Sequence, residues 1–191
     1  MKKRTDLPKV PVREIMSSPV ITVKKGENAV RVAKLMIDNK IGSVVVVDEE
    51  KKPIGIITER DMVRIMASGT LDPERTRAED IMSQPLRAIS PELGIEEAAK
   101  LMRQLGVKRL PIMEKGALVG IISSGDIIRV TPSIIEILLE RSRIGPAAPE
   151  PKTTSLMGYC DLCGAWSDGL RPKDGQYICE DCLSDLEGES T

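Results

Sequence analysis

Residues 15–64, IMSSPVITVKKGENAVRVAKLMIDNKIGSVVVVDEEKKPIGIITERDMVR, return in altered form at residues 81–129, IMSQPLRAISPELGIEEAAKLMRQLGVKRLPIMEKGALVGIISSGDIIR. Ile15-Met16-Ser17 recurs as Ile81-Met82-Ser83, Ala33-Lys34-Leu35-Met36 as Ala99-Lys100-Leu101-Met102, and Gly55-Ile56-Ile57 as Gly120-Ile121-Ile122. The register slips by one residue, in the turn before Pro53 and its counterpart Leu118. Two such copies are expected to pack face to face, with a ligand site in the seam between them.

Each copy has the same internal order. A short extended segment follows a proline, at PVITV and PLRAI. Ala29, Val32, Ala33, Met36 and Ile37 then fall at helical spacing, as do Ile95, Ala98, Ala99, Leu101, Met102 and Leu105, with Gly106 as C-cap. An apolar run (SVVVVD or RLPIME), a tight turn, a second strand and a closing helix complete a β-α-β-β-α unit. The valine run reads as a strand covered on both faces. Thr131 and Pro132 read as the N-cap and first residue of an amphipathic helix with Ile134, Ile135, Leu138 and Leu139 on its apolar face. The expected divisions are 12–71 and 78–131 for the two copies, 132–144 for this helix, 145–158 for a Pro-rich linker, and 159–191 for a separate small C-terminal unit with an acidic tail.

Composition narrows the function. The chain is 41% hydrophobic with a net charge of −1, which fits a globular protein and gives no global attraction to nucleic acid or membrane. No apolar stretch approaches the ~20 residues of a membrane span, so a cytoplasmic protein is expected. Histidine is absent, which removes the usual general acid–base and the commonest metal ligand. With no P-loop or nucleophile elbow either, an enzyme is the least favoured class.

All four cysteines lie in the last segment, as Cys160-x2-Cys163 and Cys179-x2-Cys182 with fifteen residues between the pairs. That is the spacing of a four-thiolate zinc ribbon. A segment this short needs a metal to fold, and four protein ligands leave no open position, so the ion is expected to be structural. Four thiolates also suit a single iron, as in rubredoxin. CDLCG has the glycine that rubredoxin-like knuckles favour, CEDCL lacks it, and neither knuckle has the usual proline, which leans towards zinc.

The opening IM..P, the apolar strand and the closing G-I-I-[ST]-x-x-D of each copy resemble the CBS domain, and two in tandem resemble a Bateman module. The resemblance spans residues from about 12 to 131, and with the ribbon it extends to archaeal CBS proteins bearing a C-terminal metal-binding domain. It implies an α/β fold, a pseudo-twofold disk with two clefts that take adenine nucleotides or adenosyl compounds such as S-adenosylmethionine, and a homodimer. Carried onto this sequence, it sets Asp126 and Ser123 with Ile21, Gly42 and Ser43, and Asp61 and Thr58 with Arg87, Lys108 and Arg109. The Asp61 cleft, with Lys108 and Arg109 in place of Gly42 and Ser43, is then the better phosphate site. The expected function is a non-enzymatic nucleotide sensor whose ribbon contacts a protein partner. The alternatives are a pair that binds nothing and serves as a dimerisation scaffold, a rubredoxin-like electron carrier gated by the pair, and a DNA-binding regulator. Acidic side chains outnumber basic ones after residue 156, which works against the last.

Overall fold

The computed structural model describes residues 10–69, 72–142 and 156–188. The first copy runs β1 (Thr22–Lys24), α1 (Ala29–Asp38), β2 (Ser43–Val47), β3 (Pro53–Thr58) and α2 (Glu59–Ser68). A short α3 (Ala78–Ile81) leads into β4 (Arg87–Ile89), α4 (Ile95–Leu105), β5 (Arg109–Glu114), β6 (Ala117–Ser123) and α5 (Ser124–Ser142). Both copies are therefore the β-α-β-β-α unit expected. In each, the first strand pairs parallel with the second, and the second antiparallel with the third. All five residues of β2 are buried, as its unbroken valine run requires. Gly106 ends α4 in the left-handed conformation at φ 66°.

The copies exchange their lead-in segments. Pro11 bridges to Gly94 and Val12 N donates to Leu93 O, while the equivalent Arg77 bridges to Asn28 and Ala78 N donates to Glu27 O. Ser17 pairs with Ile121 of the second copy, and Ser83 with Ile56 of the first. The repeated glycines follow from this crossing. A Cβ on Gly55 would meet Met82 Sδ at 2.5 Å, and one on Gly120 would collide with Met16 Sδ. Each methionine thus lies flat on the other copy's third strand, where only glycine leaves room. Val12 sits in the second copy's core, and Ala78, with Ile81 and Met82 against it, in the first copy's.

Three features depart from the sequence reading. α5 runs unbroken through Pro132. Thr131 turns its hydroxyl back onto Ile127 O at 2.8 Å, the bond of a helix interior and not of an N-cap. The side chains of Ile134, Ile135, Leu138 and Leu139, and residues 143–155, lie outside the described residues. The C-terminal unit starts earlier than residue 159: β7 (Leu156–Tyr159) precedes β8 (Trp166–Lys173), β9 (Gln176–Ile178) and α6 (Glu180–Gly188).

That unit is also not separate. β7 pairs antiparallel with β4, joining Arg87 to Gly158, Ala88 to Met157 and Ile89 to Leu156, so one six-stranded sheet runs β6-β5-β4-β7-β8-β9. Leu156, Leu170, Ile178, Cys160 and Cys179 share a core with Ile89, Leu101, Leu110, Ile112 and Ile122 of the second copy. On the other face Met157 packs with Ala88 and Met113 against Leu118 and Trp166. The physical reason is that β4 would otherwise be an open sheet edge, and a segment too small for its own core gains one by extending that sheet. Tyr159 adds a contact to the first copy, its hydroxyl donating to Pro53 O at 3.3 Å.

Candidate functional site

Each closing helix begins with the same capping device. Thr58 N and Thr58 Oγ1 donate to Asp61 Oδ2 at 2.8 and 2.6 Å. Ser123 N and Ser123 Oγ donate to Asp126 Oδ2 at the same two distances. The reciprocal bonding satisfies backbone donors at the helix start. It also fixes each carboxylate at the C-terminal end of a strand. The second oxygens meet Arg64 and Arg129, each at 3.3 Å. Asp61 is buried and Asp126 is somewhat more open.

Along the backbone, the strand starts nearest these carboxylates belong to the same copy. Ser43 is opposite Thr58, and Glu59 N donates to Gly42 O. Arg109 is opposite Ser123, and Ser124 N donates to Lys108 O. The reason is local: β2–β3 and β5–β6 are tight hairpins, so the open end of each hairpin brings its first and last residues together. Along the backbone, Asp61 and Thr58 thus lie near Gly42 and Ser43, and Asp126 and Ser123 near Lys108 and Arg109. Ile21 packs against the first copy's core, its carbonyl accepting from Val45 N. The Arg109 side chain crosses the seam to the start of α2. Arg109 lies over Gly42, where a Cβ would collide with its guanidinium, and it pairs with Glu59 at 3.6 Å.

Arg87 does not lie with Asp61, Lys108 and Arg109. Its Nη1 donates to Tyr159 O, its Nη2 to Asp161 Oδ1 at 2.7 Å, and its guanidinium lies 5.3 Å from the centre of the Tyr177 ring. Asp161 and Glu59 were not singled out from sequence. Asp161 reads there as an ordinary knuckle residue, and its partner is 74 positions away.

The four cysteines meet. Cys160 and Cys163 flank the turn after β7, which closes at Gly164 with φ 69°, and Cys179 and Cys182 flank the start of α6. Their Sγ atoms lie within 4.8 Å of one another. Cys163 Sγ and Cys179 Sγ are 3.8 Å apart. A tetrahedral ion with bonds of about 2.3 Å to sulfur spaces its ligands by about 3.8 Å, whereas a disulfide needs about 2.05 Å. The set is thus positioned to hold a metal ion. Burial opposes ionisation of Cys160, but backbone N–H groups, including Cys179 N at 3.3 Å and Leu162 N at 3.4 Å from Sγ, bring its thiol down to about 6. Cys179 is drawn down by the Cys182 amide, yet burial and hydrogen bonds to Cys160 and Cys163 leave it raised on balance. Cys182 is pushed up, chiefly by its hydrogen bond to Cys179. Without a cation, the Cys160 thiolate forms readily while Cys179 and Cys182 hold their protons. Burial likewise opposes ionisation of Asp161, but the Tyr177 amide and then Arg87 outweigh it and hold the carboxyl below its usual range.

A duplicated β-α-β-β-α unit with crossed lead-ins and a capped aspartate closing each copy defines a tandem-repeat α/β protein carrying a cysteine ribbon. The family model of the CBS domain matches residues 12–68 and 78–133, and the chain belongs to that family. An uncharacterized protein of Methanopyrus kandleri is 39% identical over 183 residues, covering 94% of this chain and 93% of its own. An uncharacterized protein of Methanocaldococcus jannaschii is 39% identical over 186 residues, with 93% and 95% covered. Both archaeal matches extend past the CBS pair into the cysteine ribbon. Among solved structures, the CBS domain pair of protein MJ0100, in complex with 5′-methylthioadenosine and S-adenosyl-L-methionine, is 26% identical with a TM-score of 0.60, covering 66% of this chain and 98% of that one.

Proposed function

We propose that this chain is a regulatory CBS pair without catalytic chemistry of its own, sensing an adenine nucleotide or adenosyl compound beside the capped aspartates. The observation that carries the reading is the matched pair of N-cap carboxylates at strand ends. In each, Oδ2 is occupied by the cap, while Oδ1 keeps lone-pair capacity for a ribose diol. The adenosyl ligands of the MJ0100 pair support the ligand class. Of the two clefts, we favour that of Asp61 and Thr58 for a phosphorylated ligand, because the Arg109 guanidinium reaches across the seam to Glu59 at the start of α2, with Lys108 next to it in the chain. Ile21, Gly42, Ser43, Ser123 and Asp126 form the less cationic counterpart. Calorimetry with AMP, ATP, S-adenosylmethionine and 5′-methylthioadenosine tests this. Asp61→Ala should weaken binding by about ten- to a hundredfold, the loss of a charge-assisted hydrogen bond. Wild-type protein that binds none of these at millimolar concentration would sink the reading.

The ribbon metal is read as a structural zinc, held by Cys160, Cys163, Cys179 and Cys182 and leaving no open position for chemistry. Iron is the second reading, since amide N–H bonds to a thiolate sulfur such as those to Cys160 are what tune iron–thiolate potentials. Thiolate-to-iron absorption after aerobic purification would decide for iron, and a colourless protein with stoichiometric zinc against it. A homodimer is also proposed. Ile37 and Val63 are 74% and 63% exposed beside a groove of about 500 Å³ on α1 and α2, and Ile128, the counterpart of Val63, is 70% exposed. A protein partner at the ribbon and a cytoplasmic location complete the reading.

A further inference from the structure

Arg87 opens β4, and the parallel register of Ile89 with Ile112 sets it beside Leu110, next to Arg109, whose guanidinium crosses the seam to Glu59 at the start of α2. Its counterpart in the first copy is Ile21, an apolar residue. A cation at this position would strengthen the hold on an anionic ligand. Its head group is instead engaged elsewhere, on Tyr159 O, Asp161 Oδ1 and the face of Tyr177, with only 16% of the side chain exposed. Asp161 lies between Cys160 and Cys163, and its second oxygen accepts from Tyr177 N at 2.7 Å. The position of this carboxylate is thus set by the knuckle that the cysteines form.

We propose that Arg87 is a shared cation: the closed cysteine knuckle, through Asp161, and the phosphate of a ligand in the Asp61 cleft compete for it. This rests on the reading of that cleft as an adenosyl site. A guanidinium presents its donors as a planar fork, and a fork turned onto Asp161 and Tyr159 cannot also face a phosphate. Closing the knuckle around a metal therefore lowers the affinity for phosphorylated ligands and leaves unphosphorylated ones untouched. Linkage requires the reverse as well, so a phosphorylated ligand loosens metal retention by the same factor.

The test is calorimetry on the metal-loaded full chain with AMP and adenosine as probes. Asp161→Asn keeps all four cysteines and should keep its zinc, yet bind AMP about fivefold tighter or more, the lower range of measured couplings, with adenosine unchanged. Adding Arg87→Gln to Asp161→Asn should abolish the gain. If wild type binds AMP and Asp161→Asn binds it equally, Arg87 is only a clamp and the coupling is overturned, while the cleft reading stands. If wild type binds neither AMP nor adenosine, the cleft reading falls and takes this inference with it. Should Asp161→Asn fail to retain zinc, chelator-stripped wild type is compared with stripped Arg87→Gln. A gain in AMP affinity in the former alone supports competition, and equal changes in both refute it.

Discussion

Gly158→Ala is the sharpest probe of how the ribbon is joined to the second copy. The Cβ it adds would lie 2.5 Å from Leu86 O, 3.3 Å from Leu170 Cδ1 and 3.4 Å from Arg87 Cα. The nearest of these is backbone, and it cannot rotate away. Gly158 is not at positive φ, so the cost comes from space and not from conformation. Two responses are open. Detaching β7 from β4 would expose Leu156 and Met157, at about 1.5–3 kcal/mol each. Sliding the strands apart by a few tenths of an ångström resembles ordinary overpacking, at about 1–3 kcal/mol. The second is cheaper and should prevail. Against it stands a gain of about 0.4–1 kcal/mol from a stiffer unfolded chain. The balance is a destabilisation of about 1–2 kcal/mol, read as a lower urea midpoint, with faster amide exchange at Ala88 and Ile89. Gly120→Ala is the control. Its Cβ collides first with the sulfur of Met16, a flexible side chain, so its cost should be smaller. A Gly158→Ala protein as stable as wild type, with unchanged exchange at those amides, would refute the proposition that β4 and β7 are held in close contact.

Metal removal should not leave the repeats untouched: chelation is expected to accelerate exchange in β4 and expose the Ala88, Met113 and Met157 cluster to a hydrophobic dye, while β1–β3 stay protected. An unchanged β4 would contradict the shared core. Metal affinity should fall with acidity. Cys179 and Cys182, both raised, must give up protons at neutral pH, and below about 6 Cys160 adds its own; a chelator competition across about pH 5 to 8 that shows a flat affinity would disprove this. Val63→Asp should convert the proposed dimer to a monomer in light scattering, and a dimer that survives both this change and Ile128→Asp uses another face.

Much of the fold could be read from the letters alone. The valine run, the helical spacing around Met36 and Met102 and the duplicated glycines are local patterns, and local patterns survive in a single sequence. The cysteine pairs likewise announced their own meeting. What escaped was how the ribbon joins the second copy. β7 offers only Leu-Met-Gly-Tyr, too short for a period to show, and Gly158 is there for a backbone approach that no spacing records. Arg87 looked like a cleft cation because its position in the repeat says so, but its head group follows Asp161, far along the chain. Side-chain reach across the seam is hidden in the same way: the Arg109 guanidinium meets Glu59 of the other copy, and no spacing in the sequence records that contact.

The crossed lead-ins bear on ancestry. Pro11–Ser17 completes the second unit and Arg77–Ser83 completes the first, through equivalent bonds. A polypeptide holding one unit alone would have an arm with no home and a docking groove with no arm, and a second copy of itself would supply both under twofold symmetry. An arm-exchanged homodimer of single units is therefore a self-consistent forerunner of this chain. Fusion of the two genes would have changed the connection and not the contacts. Once fused, the halves were free to diverge, and only the second acquired a strand partner in the ribbon. A chain nicked between the units, near residue 70, should for the same reason remain in one piece.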